Sequence, residues 1–360
     1  MKVLIRTDAS VEIGSGHLMR CLTLADQLRD EGAEVAFVCR DLPGAMFDLL
    51  HTRSYRFAKL SWVEEDNALQ NIDAQETIKA AGRLFPDGIE WLVVDHYELD
   101  VEWERMLRPH VCKLMVIDDL ANRSHDCDLL LDQNYYRDLD QRYQGLVPEQ
   151  CVTLLGPAYV LLRPEFADAR QRLRVRNGTV RRILVFFGGS DSTNQTRKAL
   201  DALKLISRPE IAVDIVVGAS NPYRDEIQSL SQEMPNVQYH CQVSNMAELI
   251  EAADIAIGAG GATTWERCSL GLPTLTVVFA DNQLQTTLDL ERLGAIIFLG
   301  WANKITTSDL VCAIESLIEN PGLLSDLSER ACFVLRAWQG TGAITAAMRT
   351  ILINHKRACR

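Results

Sequence analysis

Short apolar segments alternate with longer amphipathic ones along both halves of the chain, and this alternation restricts the fold more than any other feature. A short buried strand followed by a helix with one apolar face is the grammar of a parallel sheet covered by helices. In the first half the predicted strands are Lys2 to Thr7, Glu34 to Cys39, Trp91 to Asp95 and Lys113 to Ile117. Between the first two, His17 to Arg29 carries apolar residues at 18, 21, 22, 25 and 28, one face of a helix that Gly32 stops. The second half repeats the pattern, with strands predicted at 182–187, 211–217, 237–241, 254–257 and 274–279 and helices near 195–206, 223–231, 246–252 and 263–270. The fold class that follows is α/β, two doubly wound Rossmann-like domains facing each other across an interdomain cleft. No internal repeat is detectable at the level of residues.

At 360 residues the chain is long for one core, and typical domain sizes suggest two. An arginine-rich stretch from Arg163 to Gly178, with Arg170, Arg172, Arg174 and Arg176, marks the expected boundary. The expected division is residues 1–165, residues 180–340, and a terminal helix over 341–360 returning to the first domain. Leu310, Ile314, Leu317 and Ile318 keep helical spacing in the tail and read as packing.

A net charge of -12 argues against a protein whose main work is covering nucleic acid, because no basic stripe would release counterions from phosphates. An anionic ligand must then be held locally, by backbone amides, helix N-termini and individual arginines. The ten cysteines show no C-x-x-C pair and no His/Cys cluster at metal spacing, so they read as buried reduced thiols and no metal is expected. The chain passes from Met1-Lys2 directly into a strand and contains no apolar run of membrane-spanning length, which reads as a soluble, cytoplasmic protein without membrane insertion.

In open parallel sheets, ligands sit beyond the carboxyl ends of the strands at the point where strand order reverses. The candidate residues lie at such ends. Gly14-Ser15-Gly16 precedes the first helix, and glycines there let backbone approach a ligand. Met19 stands where a dinucleotide fingerprint needs its third glycine, and an ordinary strand-to-helix turn would use the same glycines. His17 follows in the first helical turn, where the positive end of the dipole favours a neutral ring able to act as a base. Arg20 lies on the same side, one turn on.

Asp95-His96-Tyr97 closes the third strand, and Tyr97 has the chemistry to donate to a substrate oxygen or simply to cover the sheet edge. Asp118-Asp119 ends the next strand, with adjacent side chains on opposite faces, and reads as structural. In the second half, Gly188-Gly189 ends a strand. The segment Gly258-Ala-Gly260-Gly261-Ala262-Thr263-Thr264-Trp-Glu266 runs from strand through glycines and hydroxyls into a helix. A diphosphate can lie on such amides and hydroxyls while Glu266 accepts from ribose hydroxyls. Asp281-Asn282-Gln283, read as the end of the next strand, supplies amides for a sugar or a water.

Taken together, Gly14-x-Gly16-His17-x-x-Arg20, Gly260-Gly261-Ala262-Thr263-Thr264-x-Glu266 and Asp281-Asn282-Gln283 resemble the nucleotide-sugar hydrolases of pseudaminic acid biosynthesis, relatives of the GT-B glycosyltransferase that completes lipid II. The resemblance covers roughly residues 1 to 300. It implies a GT-B-like fold and hydrolysis of UDP-2,4-diacetamido-2,4,6-trideoxy-beta-L-altropyranose to UDP and the free sugar, without cofactor or metal. It implies that His17 is the general base, that Tyr97 and Asn282 support the sugar or the attacking water, and that Gly261 to Glu266 hold UDP. The substrate-binding set is Gly14, Gly16, Arg20, Gly188, Gly189, Gly260, Gly261, Ala262, Thr263, Thr264, Glu266 and Gln283, with backbone near Cys241 to Ser244 for the uracil. The stretch Glu64 to Arg83 and the tail from Thr306 have no counterpart with a chemical role. A UDP-sugar glycosyltransferase, a 2-epimerase and a UDP-sugar-binding protein without turnover are the alternatives, and the oligomeric state is open.

Overall fold

The computed structural model describes residues 1–61, 69–174, 176 and 178–358. The chain divides into two compact units. Met1–Asn134, Asp138–Leu161 and Trp338–Arg360 form the first, and Tyr135–Arg137 with Leu162–Ala337 form the second.

The first unit runs β1 (Lys2–Thr7), α1 (Gly16–Asp30), β2 (Glu34–Arg40), α2 (Phe47–Thr52), β3 (Arg56–Leu60), α3 (Leu69–Leu84), β4 (Ile89–Asp95), α4 (Val101–Leu107), β5 (Val111–Ile117), β6 (Leu129–Asp132) and β7 (Val152–Leu155). The strands form one parallel sheet in the order β3-β2-β1-β4-β5-β6-β7, with Val3 opposite both Val35 and Trp91. Both faces are covered, so the strands read as continuous apolar runs. Side chains alternate between two cores. Val3, Ile5, Phe37, Trp91 and Val93 meet the Leu18, Leu22, Ala25 and Leu28 face of α1. Leu4, Val38, Leu92 and Val94 meet Ala74 and Ala80 of α3 and Trp103 of α4.

Two parts of the sequence acquire a place that spacing did not give them. Of the stretch from 64 to 83, residues 64–68 lie outside the described residues, but α3 is a full member of the sheet's cover and brings Asp73 under it. The arginine-rich stretch is no bare linker. Arg174 and Arg176 donate to the carbonyls of Ile250, Glu251, Ala252 and Ala253, where a helix ends and its last carbonyls lack intrahelical partners.

The second unit comprises α5 (Pro164–Arg170), β8 (Arg182–Phe186), α6 (Gln195–Ile206), β9 (Ala212–Val217), α7 (Arg224–Gln232), β10 (Val237–Cys241), α8 (Met246–Ala252), β11 (Ile255–Ala259), α9 (Thr263–Ser269), β12 (Thr274–Val278), α10 (Asp281–Leu293), β13 (Ile297–Trp301), α11 (Thr307–Glu319) and α12 (Pro321–Val334). Its parallel sheet has the order β10-β9-β8-β11-β12-β13. In each sheet the chain reverses its direction of travel between two central neighbours, β1 and β4 in one and β8 and β11 in the other, and the carboxyl ends of these four strands are the ligand positions of a doubly wound sheet. The tail is shared out. Leu310, Ile314 and Leu317 of α11 enter the second unit's core, while α13 (Thr341–Ala358) sends Ile344, Met348 and Leu352 into the α1 core of the first unit.

Nine described cysteines are free thiols; Cys21, Cys39, Cys127 and Cys268 are buried as expected, but Cys112, Cys241 and Cys312 are exposed. Among the described residues no helix is long and apolar enough to cross a membrane.

Candidate active site

In the first unit β1 stops at Thr7, and the segment before α1 is closed by Ser10 and Gly14, each donating its amide to the other's carbonyl. The turn at Gly14 to Gly16 therefore leads directly into α1. Gly14 has φ +78°, a conformation that favours glycine, and a side chain there or at Gly16 would meet nothing within 4 Å. Ser15 leaves the helix start without a side-chain cap.

His17, the second residue of α1, lies beside the end of β4. Its Nδ1 is 2.6 Å from Asp95 Oδ1. Burial alone would raise the Asp95 carboxyl, but Arg20 and His17 outweigh it and hold it far below the usual carboxylate range. Asp95 is therefore an acceptor, Nδ1 carries the proton, and a neutral ring presents Nε2 as its basic nitrogen. Arg20 Nη2 also lies 3.1 Å from Nδ1, but that nitrogen is spent on Asp95 Oδ1 at 2.6 Å and a protonated Nδ1 cannot accept from it. The approach follows from sharing one carboxylate oxygen. His17 Nε2 makes no hydrogen bond among the described residues, and the side chain keeps 9% of its surface open.

Arg20, expected to meet the ligand, instead directs its fork inward. Nε and Nη2 donate to the two Asp95 oxygens at 2.6 Å each, and Nη1 donates to Asp119 Oδ2 at 3.0 Å. Asp119 was read as structural, yet it joins this group. Its carboxylate takes the Tyr97 hydroxyl, and burial together with Asp119 raises the Tyr97 pKa. The Tyr97 ring stands edge-on to the His17 ring with centroids 4.5 Å apart. Asp118, by contrast, turns to Arg123 and Tyr143, in keeping with the alternation of neighbours leaving a strand.

A second buried array lies beside it. Arg6 bridges Asp8 and Asp73, Arg40 binds Asp73, and His96 Nε2 reaches Asp8 Oδ2 at 3.1 Å. Trp103 Nε1 donates to Asp73 as well, so α3 and α4 are tied to the switch-point end of β1 by charge as well as by apolar packing.

In the second unit, Gly188 has φ +99°, and a side chain at Gly218 would come within 2.3 Å of the Gly189 carbonyl oxygen, so the loops after β8 and β9 pack backbone to backbone. Asp191 then accepts from the amides of Gln195 and Thr196 and opens α6. At the end of β11, Gly260 donates its amide to Val277 at 2.9 Å, and a Cβ there would meet Thr287 Oγ1 at 2.6 Å. Gly261 faces Gln283, whose Nε2 would be 3.6 Å from a Cβ at that position. Ala262 is the N-cap of α9 and gives no side-chain cap.

Three differences from expectation stand out here. Asp281, Asn282 and Gln283 form the first turn of α10 and not a strand end, and Gln283 Oε1 folds back to accept from the Phe279 amide at 3.1 Å. Glu266 does not stand alone. Arg163 Nη2 donates to its Oε1 at 3.0 Å, and the same guanidinium reaches Glu165 at 3.1 Å, so the carboxylate is oriented and neutralised with Oε2 left over. Thr263 and Thr264 both accept from Arg267, a buried residue that sequence reasoning passed over. The loop after β10 carries Gln242 at φ +53°, and its side chain accepts from the Ala219 amide at 3.2 Å.

The structure thus gathers His17, Arg20 and Tyr97 with Asp95 and Asp119 in the first unit. It gathers Gly260 to Thr264, Glu266 and Gln283 with Arg163 and Arg267 in the second. The first group offers a buried, oriented imidazole; the second offers amides, hydroxyls and a held carboxylate around glycine backbone, which suits a polyanion joined to a diol.

Residues 183–331 match the glycosyltransferase family 28 C-terminal domain. The chain is 28% identical over 298 residues to the UDP-2,4-diacetamido-2,4,6-trideoxy-beta-L-altropyranose hydrolase of Campylobacter jejuni, covering 82% of this chain and 97% of that one. It is also 28% identical over 292 residues to an uncharacterized protein of Methanocaldococcus jannaschii, covering 79% of this chain but only 57% of the relative's length. The crystal structure of MurG from Acinetobacter baumannii matches with a TM-score of 0.63 over 97% of this chain and 99% of that chain, at 16% identity, a likeness of fold. The chain thus has a GT-B-like fold, is similar over residues 183–331 to the glycosyltransferase family 28 C-terminal domain, and resembles the altropyranose hydrolase over 82% of its length.

Proposed function

We propose that the chain processes a UDP-linked sugar and that its reaction is hydrolysis, with UDP-2,4-diacetamido-2,4,6-trideoxy-beta-L-altropyranose as substrate. The observation that carries the reading is the His17–Asp95 pair, which fixes the proton on Nδ1 and reserves Nε2 for a proton to be removed. Similarity to the Campylobacter jejuni hydrolase over nearly that protein's whole length supports the choice of substrate.

In this reading the second unit holds UDP. The Gly260 to Thr264 loop meets the diphosphate, and Glu266, held by Arg163, accepts from the ribose. The first unit supplies the base. His17 Nε2 takes a proton from water as the water oxygen bonds to the anomeric carbon; the bond from that carbon to the UDP oxygen breaks, and configuration inverts. Tyr97, edge-on to the imidazole, and Asn282 support the sugar or the attacking water. General-base assistance of this kind contributes roughly 100- to 10,000-fold in rate. The reading gives no step to a metal, and turnover is expected to persist in a chelator.

A transferase reading, favoured by the family 28 domain, would have His17 deprotonate an acceptor hydroxyl in place of water. Purified protein is to be incubated with the UDP-sugar in heavy-oxygen water with no acceptor present. The label is expected in the free sugar, and His17→Asn is expected to abolish turnover while retaining UDP binding. Label in UDP overturns attack at the anomeric carbon, and UDP release only when an acceptor is added removes the hydrolase reading.

A further inference from the structure

Arg267 is 3% exposed and forms no ion pair among the described residues. Its guanidinium lies beneath the loop that follows β11. Nη2 donates to the Ala259 carbonyl at 2.7 Å and to Thr264 Oγ1 at 3.1 Å, Nη1 donates to Thr263 Oγ1 at 3.0 Å, and Nε has no partner. Space for it is made by backbone. A Cβ at Gly258 would fall 2.8 Å from Nη1, so glycine at that strand position lets the cation slide under the loop.

A guanidinium removed from water without a counter-charge is strongly unfavourable. Burial pulls the pKa of Arg267 down to about 10, against weak compensation from Cys268 and Glu266. Glu266 is not the missing partner: it makes no hydrogen bond or ion pair with Arg267 among the described residues and turns its carboxylate to Arg163 at 3.0 Å. Packing alone would be met by an apolar side chain of the same length. The three hydrogen bonds to the loop leave that charge without an opposite one.

The hydroxyls show where that charge acts. A hydroxyl that accepts from a guanidinium must send its own proton elsewhere. Thr264 has the Ala259 carbonyl, at a long 3.4 Å, but the half-buried Thr263 hydroxyl has no acceptor among the described residues. Its proton is turned away from the cation, and the cation polarises it.

We propose that Arg267 is the buried counter-charge of an anionic ligand on this loop, a diphosphate ester, and that it acts through Thr263, whose hydroxyl it holds as an acceptor so that the proton is presented to a phosphate oxygen. The choice of diphosphate rests on the reading that UDP binds the second unit. Arg267 is a positioning residue here; it polarises a donor that meets the ligand.

The full chain is to be titrated calorimetrically with UDP, uridine and inorganic pyrophosphate, as wild type and as Arg267→Met, Arg267→Lys and Thr263→Val. Arg267→Met and Thr263→Val are expected to weaken UDP and pyrophosphate by about ten-fold or more while leaving uridine unchanged, because the lost interaction is a charge-assisted one to phosphate. Arg267→Lys is expected to restore most of the UDP affinity. Should Arg267→Met not fold, Thr263→Val carries the test by itself. Equal losses for UDP and uridine would mark Arg267 as a clamp on the loop and overturn the proposal, as would unchanged UDP affinity. Wild-type binding of pyrophosphate but not UDP, lost in Arg267→Met, upholds the counter-charge and overturns the UDP reading instead. Wild-type protein that binds none of the three overturns both.

Discussion

His17 Nδ1 and Asp95 Oδ1 lie 2.6 Å apart although 78 positions separate them in the chain, and Arg20 binds both oxygens of the same carboxylate through two further 2.6 Å bonds. Replacing Asp95 by asparagine puts an amide between a ring and a guanidinium that both donate, so the imidazole is free to change tautomer or turn. Asp95→Asn is expected to lower kcat for UDP release by about 100-fold or more, with UDP affinity unchanged. Steady-state rates with UDP calorimetry on the same preparation check this; a wild-type kcat would detach Asp95 from the reaction.

Glu266 is expected to read the ribose and Arg163 to aim it. Glu266→Gln and Arg163→Ala should each weaken UDP roughly ten-fold, the effect of losing a hydrogen bond to a charged group. Neither should affect 2′,3′-dideoxy-UDP, which has no hydroxyls to offer. The double variant should be no weaker than Glu266→Gln alone, since the two residues act through one contact. Equal losses for both nucleotides would place Glu266 elsewhere.

The middle of α10 is pressed against Gly260, where a Cβ would meet Thr287 Oγ1 at 2.6 Å while that hydroxyl is already donating to the Gln283 carbonyl at 2.7 Å. Gly260→Ala must push the loop or the helix aside. We expect a loss of about 1–3 kcal/mol in urea unfolding, the usual cost of overpacking, together with weaker UDP binding as the loop shifts. Unchanged values for both would mean that the loop adapts freely.

His125 provides a pH signature in the first unit. Burial would lower its pKa, but Asp118 and Glu104 outweigh this and raise it to about 9. Glu104 Oε1 bonds Nδ1 at 2.7 Å, whereas Asp118 stands 3.8 Å from Nε2, an ion-pair distance and not a hydrogen bond. A folded-state pKa above the unfolded value of about 6.5 means stability that is fully present below that value and is lost as pH rises through about 9. Asp132 nearby, pushed up to about 7 chiefly by burial, loses stability as pH rises to about 7, and does so in the wild type and in the His125 variant alike. Urea midpoints between pH 7 and pH 9.5 should therefore fall in the wild type by an extra amount on the order of 1–3 kcal/mol that is absent from His125→Gln. Parallel curves would show that the histidine titrates alike in both states.

Much of this arrangement is visible in the sequence, and the rest is hidden for identifiable reasons. The central strands announce themselves because both their faces are buried, as Val3 to Ile5 and Ile255 to Ile257 show. The strands β3, β6, β7 and β13 are short or partly exposed and carry no comparable signal. Asp281 to Gln283 look like the end of a strand because Ala280 at the N-cap gives no capping residue to announce a helix. Candidate positions at strand ends follow from topology alone, which is how His17, Tyr97 and the Gly260 loop come into view. Their partners do not. Asp95 and Asp119 reach Arg20, and Arg163 reaches Glu266, across 75, 99 and 103 positions, and no local pattern specifies which carboxylate a guanidinium will find.

Helix α13 has a consequence for how the molecule is made. Ile344, Met348 and Leu352 complete a core whose other members all precede residue 162, so everything from Leu162 to Ala337 must leave the ribosome before the first unit can close. At common rates of synthesis that is a delay of roughly ten to thirty seconds or so. During it the Leu18 and Leu22 face of α1 lacks part of its cover, while the second unit has nearly all of its own chain in one stretch. The later-encoded unit is thus positioned to fold first, and the nascent first unit is the part with most to gain from a chaperone.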